Sequence, residues 1–370
     1  MYHPSISFKK KKKKRKLQIL SLIAPPPDQH PGVVDQAQCK YGRVYVYDDL
    51  PPIFNKKLLE NCIIDSRKSQ CEALSDGGFG PEATTALAGI VPPELARAWY
   101  RTHMFASELI FHNRILNYKC RTMEPESAKA FYIPFYAGLA ASNILFSGYT
   151  AKERDAPFYT FLEWIKNQHY WKRSNGSDHF LAVGRTSWDL KRVRDDQAWG
   201  TSFLLMPLMR KMFSFTIERS LGDPMEVTVP YPTGFHPRTV TEIKQWQEFV
   251  RGRKRTNLFT FVGGKRGYIK NDFRALLLDH CYNESDSCKA IDFAKTACLD
   301  SSSAVLEIFL SSDFCLQPRG DSHTRRSTFD CMQAAFGGRT GNLKDAFDIA
   351  VEEMLRRIVS NKPSLKGPSS

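Results

Sequence analysis

The segment FCLQPRGDSHTRRSTFD, residues 314–330, decides the fold. It begins with the apolar residues of a short strand, passes through a Pro-Arg-Gly turn, and continues into a polar stretch typical of a helix start. A strand followed by a turn and a helix is the unit of an α/β domain with a parallel sheet. Backbone N–H groups at such a helix start, together with the helix dipole, favour a bound anion. The segment therefore predicts a phosphate-binding turn in an α/β fold.

The side chains of this segment suit a nucleoside diphosphate. Its arginines offer forked, permanently charged donors to phosphate oxygens, its hydroxyl groups can cap the helix, and its last aspartate can accept hydrogen bonds from a ribose. The alternative interpretation is a solvated, well-capped helix start with surface arginines, and the density of polar features favours the binding site. The candidate residues are Arg319, Gly320, Ser322, Thr324, Arg325, Arg326 and Asp330.

A second candidate segment follows a predicted strand at residues 257–262. Gly263 and Gly264 allow a ligand to approach the backbone closely. Lys265, Arg266 and Arg274 can add positive charge to the same cleft, because ligands bind beyond the carboxyl ends of parallel strands. Taken alone, the segment is more typical of an ordinary turn with basic residues, and only the first segment tips the interpretation toward a ligand site.

Strands and helices alternate along the rest of the chain, which predicts a mostly parallel sheet covered on both faces. A proline-rich break at 230–237 marks a predicted boundary between two α/β domains. The predicted domains are an N-terminal domain at 39–237 and a C-terminal nucleotide-sugar-binding domain at 238–370, after a basic, proline-rich tail at 1–38. Predicted strands lie at 43–47, 130–134, 179–184 and 203–206, and a long helix is predicted at 94–118.

Candidate proton acceptors occur in the first predicted domain. His179 follows Asp178 at the start of a predicted strand, and Asp189 follows Trp188 shortly after it. His and Asp are the usual general bases, although a single His at a strand start is more often a hydrogen-bonded core residue. The sequence contains no Asp-x-Asp motif and no His cluster, which favours arginine binding of a diphosphate without a metal ion. We therefore expect no metal site and no cofactor.

Composition excludes several classes of protein. The net charge of +14 falls to +6 without the eight basic residues at 9–16, which are typical of a solvated tail. No zinc-finger, RRM or basic-zipper pattern is present, so nucleic acid is not an expected partner. If residues 1–16 instead bound a polyanion, their deletion would abolish that binding. Residues 17–24, LQILSLIA, are shorter than the roughly 20 apolar residues of a membrane span and resemble the remnant of an anchor.

Five segments together resemble the exostosin-like glycosyltransferase family, in its plant xyloglucan galactosyltransferase branch. The resemblance runs from about Cys39 to Ala334, and its motifs are long and specific. The matching segments are Tyr45–Asn55, Tyr132–Gly138, Asp178–Asp189, Pro230–Pro237 and Phe314–Asp330.

The resemblance implies a GT-B fold, in which two Rossmann-like domains face a cleft and the C-terminal domain binds the donor. It implies inverting transfer of a sugar, galactose in this branch, from a UDP-sugar to a cell-wall polysaccharide such as xyloglucan. It also implies a Golgi membrane protein with a lumenal catalytic region. Arg274 and the Pro318–Gly320 turn match positions that the family uses for the donor.

The chain departs from the family pattern after about residue 334. The family continues with a further strand, whereas this sequence passes through AFGGRTG to an amphipathic stripe from Leu343 to Ile358. We therefore expect an incomplete C-terminal domain on which the terminal helix docks. The alternative function is a weak or inactive paralogue that binds carbohydrate or acts as a scaffold.

Nine cysteines and two sequons are compatible with a secretory protein. In the secretory form we expect most cysteines to pair, with the clusters 39/62/71 and 281/288/298 supplying most of the bonds. The family resemblance implies that Cys331 is the free thiol, because the family usually has Ser at that position. The spacing leaves the connectivity open. Asn175 and Asn283 are the predicted glycosylation sites.

Overall fold

A computed structural model describes residues 39–60, 62–64, 71–220, 222–266, 272–293, 302–318, 324–336 and 346–360. The strands are β1 Arg43–Val46, β2 Ala128–Tyr132, β3 His179–Val183, β4 Phe213–Thr216, β5 Glu226–Thr228, β6 Asn257–Gly263, β7 Cys288–Asp292 and β8 Ser312–Leu316. The helices are α1 Pro93–Ala96, α2 Ser107–Leu116, α3 Ala137–Leu145, α4 Ala151–Lys166, α5 His169–Ser174, α6 Ser187–Leu190, α7 Val240–Gly252, α8 Phe273–Asn283, α9 Ser302–Leu310, α10 Arg326–Phe336 and α11 Ala346–Ser360.

The first sheet contains five parallel strands in the order β1-β2-β3-β4-β5. Every residue of β3 is buried, and its side chains alternate between two hydrophobic clusters. Phe180 and Ala182 face one cluster, whereas Leu181 and Val183 face the other. This is the pattern of a parallel strand that is covered on both faces, as the sequence predicts.

The second sheet contains three parallel strands in the order β7-β6-β8. Phe261 packs with Leu278 of α8 on one face, and Val262 packs with Phe309 of α9 on the other. Two parallel sheets with helices on both faces fit a GT-B-like α/β architecture. The cleft between two complete Rossmann-like domains, and the shortening after residue 334, stay predictions.

Two local predictions are wrong. The segment 94–118 is not one helix, because α1 ends at Ala96 and α2 begins at Ser107. Between them, Trp99 pairs with Phe235, and the backbone N–H of Tyr100 donates to the carbonyl of Gly234. The predicted strand at 203–206 is a 3-10 turn at Phe203–Leu205, and the next strand of the sheet is β4.

Two segments pack across the predicted boundary at residue 237. Residues 83–99 contribute Leu87, Leu95 and Trp99 to the cluster around β6, α7, α9 and α10. Conversely, α11 lies against the first sheet, where Phe347 contacts Phe111 and Tyr118. The expectation that the terminal helix docks on the second domain is therefore wrong. The proline-rich segment 230–237 itself stays the predicted boundary between the domains.

Among the helices of the described ranges, none combines the length and the apolar character that crossing a membrane requires. The longest of these, α4, has 16 residues and carries several charged side chains. A membrane-spanning helix needs about 20 predominantly apolar residues.

Candidate functional site

Both predicted donor segments leave the same edge of the second sheet. Strands β6 and β8 are parallel neighbours, and Phe261 pairs with Leu316 close to their carboxyl ends. Gly263 ends β6, and Pro318 follows the end of the adjacent strand β8 by two residues. Beyond Pro318, the candidates Arg319, Gly320 and Ser322 lie outside the described residues. Their assignment to the donor site stays a prediction.

The start of α10 is tied to the end of β8 in two ways. The guanidinium group of Arg325 donates to the carbonyl oxygen of Pro318. Cys315, on β8, forms a disulfide with Cys331, on α10. Together these contacts hold the first turns of α10 against the carboxyl end of β8. Arg325 is thus at the predicted site but also has a structural contact.

Arg326 and Asp330 form an ion pair on the first turns of α10. Nε of Arg326 donates to Oδ2 of Asp330 over 3.1 Å, and NH1 of Arg326 donates to the carbonyl oxygen of Thr102. Burial raises the pKa of Asp330, whereas Arg326 lowers it. These contacts show that Arg326 anchors α10 to the segment between α1 and α2. The roles of Arg326 as a phosphate ligand and of Asp330 as a ribose ligand stay predictions.

Thr324 makes a second connection to the first sheet. Its hydroxyl group donates to the carbonyl oxygen of Ile217 over 3.0 Å, directly after β4. The start of α10 is therefore in contact with both Thr102 and Ile217. The predicted donor segment thus faces residues that extend from the first sheet, at its carboxyl edge.

Arg274 lies over the carboxyl end of β6. A Cβ atom added to Gly263 would lie 2.8 Å from the Phe261 ring and 3.2 Å from Nη2 of Arg274, so the guanidinium group lies close to the backbone at this strand end. Asp272 caps α8 by accepting from the N–H of Arg274 over 3.0 Å, and it also accepts from the N–H of Arg266 over 2.6 Å. Lys265 pairs instead with Asp279 on the exposed side of α8. Of Lys265, Arg266 and Arg274, Arg274 is placed best for a ligand at the end of β6, because its guanidinium group lies beside Gly263.

The two predicted proton acceptors are buried and hydrogen-bonded. Nδ1 of His179 donates to Oδ1 of Asp178 over 2.7 Å, and Nε2 accepts from the hydroxyl of Tyr47 over 2.8 Å. Burial lowers the pKa of His179, against the raising effect of Asp178. The His179 ring also stacks on Phe131 and has no exposed surface. This geometry favours the interpretation as a hydrogen-bonded core residue, which the sequence analysis also preferred.

Asp189 is likewise held by its neighbours. Its Oδ2 accepts from Nε of Arg185 over 2.8 Å and from the Thr186 hydroxyl over 2.9 Å. Its Oδ1 accepts from the indole N–H of Trp199 over 2.8 Å. The carboxylate therefore orients the segment that follows β3. A catalytic role for Asp189 stays a prediction, and these contacts favour a structural one.

Glu108, on α2, is a buried carboxylate that the sequence analysis missed. It accepts from the backbone N–H groups of Gly138 and Leu139, in the first turn of α3, and of Gly184, directly after β3. Burial raises the pKa of Glu108 to about 7, against the lowering effect of these three N–H groups and Arg185. In the sequence, Glu108 stands directly before the apolar residues 109–111, and this position was the signal that could have identified a buried carboxylate. Glu108 joins α2 to α3 and to the end of β3.

Four disulfides connect the cysteines of the described ranges. They are Cys39–Cys120, Cys62–Cys71, Cys281–Cys288 and Cys315–Cys331. The expectation that Cys331 is a free thiol is wrong, because its side chain reaches Cys315 from the first turns of α10. The two predicted clusters supply two of the bonds, and Cys298 lies outside the described residues. Asn175 and Asn283 are both exposed, and their glycosylation stays a prediction.

We expect one free thiol per chain in protein isolated from the secretory pathway, because four bonds consume eight of the nine cysteines. Thiol titration under denaturing, non-reducing conditions measures this number. Substituting Cys331→Ser should raise the count to two by releasing Cys315. A count of nine in the wild-type protein would show that the bonds do not form.

Groups of three or more metal-binding side chains do not occur in the part of the chain that the structure describes. The donor candidates of the described ranges are instead basic side chains, the Thr324 hydroxyl group and the Asp330 carboxylate. Such an arrangement can hold an anionic ligand through charge-assisted hydrogen bonds.

Comparison with known proteins shows which family this sequence is similar to. The model of the exostosin GT47 domain matches residues 38–335. The chain is 52% identical over 298 residues to the xyloglucan galactosyltransferase XLT2 of Arabidopsis thaliana, an alignment that covers 80% of this chain and 57% of the relative. It is 38% identical over 315 residues to the probable xyloglucan galactosyltransferase GT14 of the same plant, covering 84% of this chain and 58% of the relative.

A third relative is the xyloglucan-specific galacturonosyltransferase 1 of Arabidopsis thaliana, which is 35% identical over 295 residues, covering 80% of this chain and 43% of the relative. The chain thus spans about half the length of these relatives. No solved structure matches the chain. The family match covers most of the sequence and includes both sheets and both predicted donor segments, so the chain belongs to the exostosin GT47 domain family.

Proposed function

We propose that the protein is an inverting glycosyltransferase that moves galactose from UDP-galactose to xyloglucan, a cell-wall polysaccharide. The observation that carries the proposal is the meeting of the two basic segments at the shared carboxyl edge of β6 and β8. The names of the relatives, two galactosyltransferases and one galacturonosyltransferase that act on xyloglucan, support the acceptor. The proposed location, on the pattern of the family, is the Golgi lumen with a membrane anchor.

The proposed mechanism places the donor diphosphate at the start of α10. In inverting transfer, an acceptor hydroxyl attacks the anomeric carbon on the face opposite the diphosphate, and a base takes the hydroxyl proton. The C1–O bond to the diphosphate breaks, and positive groups stabilise the negative charge that develops on the leaving oxygen. Arg274, Arg325 and the backbone N–H groups at the start of α10 are the proposed stabilising groups. The proposed reaction uses no metal ion.

A second candidate function is carbohydrate binding without transfer. It is favoured by the two predicted bases, since His179 and Asp189 both use their polar atoms in internal hydrogen bonds. A chain of this kind would bind sugar and lack the proton acceptor that transfer requires. Binding and transfer therefore have to be measured separately.

Titration of the purified chain with UDP and UDP-galactose tests the proposal. We expect saturable binding of both, with little binding of ADP, and the same affinity in the presence of EDTA because arginines rather than a metal ion hold the diphosphate. Incubation with a xyloglucan oligosaccharide should then yield a galactosylated product. Binding without product would favour the second function, whereas the absence of UDP binding would exclude both the transfer and the donor site.

A further inference from the structure

A small cavity opens beside α6, in the segment that follows β3. Its volume is about 180 Å³. Sites that enclose a whole small ligand are usually larger, roughly 300–1,000 Å³, so this cavity suits one unit of a longer molecule. Its walls are formed by Ser187, Trp188, Lys191, Arg192, Gln197 and Trp199.

Two tryptophans form the apolar part of the cavity. The side chain of Trp188 is 70% exposed, which is unusual for the largest apolar side chain. Trp199 is fixed, because its indole N–H donates to Asp189 and its ring packs edge-on against Phe146 at 5.4 Å. The fixed ring supports the wall, and the exposed ring offers a flat apolar face to a ligand.

The charged walls of the cavity are already neutralised. Lys191 pairs with Glu226, and Arg192 pairs with Asp155 and Asp195. A phosphate or another anion would have to compete with these carboxylates. The lining therefore favours a neutral ligand over a nucleotide.

A polar group that can bind a hydroxyl is also present. Oε1 of Gln197 accepts from the backbone N–H groups of Val193 and Arg194 over 2.8 and 3.0 Å. Within the described ranges, the amide nitrogen of Gln197 makes no hydrogen bond, so it can donate to a ligand. A pyranose sugar has the matching chemistry, with an apolar C–H face and hydroxyl groups around its edge.

The cavity lies next to the predicted donor segment. The hydroxyl of Ser187 donates to the carbonyl oxygen of Glu218 over 2.7 Å, and the hydroxyl of Thr324 donates to the carbonyl oxygen of Ile217 over 3.0 Å. Ile217 and Glu218 are consecutive residues, with Cα atoms about 3.8 Å apart. The rim of the cavity and the start of α10 are thus attached to one short segment after β4.

We propose that Trp188, supported by Trp199, forms an acceptor subsite that stacks on one pyranose ring of a neutral polysaccharide while Gln197 binds one of its hydroxyl groups. The proposal rests on the proposed function, because it names the place of the acceptor in that reaction. The subsite holds the polysaccharide chain beside the donor segment and takes no part in bond breaking.

The substitution Trp188→Ala tests the subsite in the full chain. We expect the affinity for a neutral xyloglucan oligosaccharide, measured by calorimetry, to fall about tenfold, the equivalent of losing about 1.4 kcal/mol of stacking. The affinity for UDP should stay unchanged. Trp188→Phe should recover part of the loss because it keeps an aromatic face. Tyr159→Ala is the matched control, since Tyr159 is an exposed aromatic residue on α4 that does not line the cavity.

The outcomes separate the subsite from the proposed function. An oligosaccharide affinity that is the same in Trp188→Ala and wild type overturns the subsite, as does an equal loss for UDP and oligosaccharide. Trp188-dependent oligosaccharide binding without UDP binding supports the subsite and overturns the transferase. If the wild type binds no oligosaccharide and Trp188→Ala lowers the mass of an oligomer in solution, the exposed ring belongs to a protein interface and the subsite is overturned.

Discussion

Replacing Phe347 by alanine is expected to destabilise the protein by about 3–5 kcal/mol, as other buried Phe→Ala substitutions do. Phe347 is 1% exposed and lies between Phe111 and Tyr118, with ring centroids at 5.4 and 5.5 Å. The guanidinium group of Arg114 lies over the same ring at 5.5 Å. The substitution removes these contacts and leaves a cavity between α11 and the first sheet. A loss of this size is a large part of a typical stability of roughly 5–15 kcal/mol.

Urea unfolding, followed by circular dichroism, measures the change. Val359→Ala is the control on the same helix, because Val359 is 46% exposed and its truncation should change stability by no more than about 0.5 kcal/mol. Equal effects of the two substitutions would mean that α11 does not pack on the first sheet in solution.

The amphipathic pattern of α11 is readable from sequence, whereas its docking surface is not. The predicted apolar stripe consists of Leu343, Ala346, Phe347, Ala350, Met354 and Ile358. Leu343 lies outside the described residues, and the other five are buried. A stripe specifies which side of a helix is covered, and any apolar surface of suitable shape can cover it. The choice between the two sheets depends on the partners Phe111 and Tyr118, which lie more than 200 residues earlier in the sequence.

The same distinction explains why most strands were predictable from the sequence and why the segment 94–118 was not. β1, β2, β3 and β6 were predicted because runs of aromatic and β-branched residues specify a strand locally. Leu95, Trp99 and Leu109 fit helical spacing, yet Trp99 belongs to the cluster around the second sheet and Leu109 to the cluster around the first. Between α1 and α2 the backbone instead pairs with the proline-rich segment, through Trp99 and Phe235, and this pairing interrupts the helix.

The candidate site was also predictable from the sequence only in part. Residue types and their order predicted a basic turn after β8 and a second basic segment after β6. The partners of these side chains were not predictable, because Arg326 binds a carbonyl 224 residues away and Cys331 pairs with a cysteine on the neighbouring strand. Burial of His179 was anticipated from its place at a strand start, whereas its hydrogen bond to Tyr47, 132 residues earlier, was not.

Replacing Arg326 by alanine is expected to lower the affinity for UDP at least about tenfold. The substitution removes the contact between α10 and Thr102 and leaves the Asp330 carboxylate without its partner in a half-buried position. Leaving this carboxylate unpaired destabilises the folded protein by about 1–3 kcal/mol, and we expect the first turn of α10 to be affected most. Arg326→Lys should not restore the affinity, because one ammonium group cannot reproduce the forked contacts to Asp330 and Thr102.

Comparing UDP with uridine by calorimetry or NMR separates the two roles of Arg326. If Arg326 binds the diphosphate directly, Arg326→Ala weakens UDP and leaves uridine binding unchanged. If it anchors α10, as its two contacts indicate, both ligands weaken by similar factors, and Asp330→Ala reproduces much of the effect. Arg251→Ala, at an exposed position near the end of α7, controls for the loss of one positive charge. An unchanged affinity for both ligands in Arg326→Ala would remove the start of α10 from the donor site, because neither its charge nor its anchoring would then matter to the nucleotide.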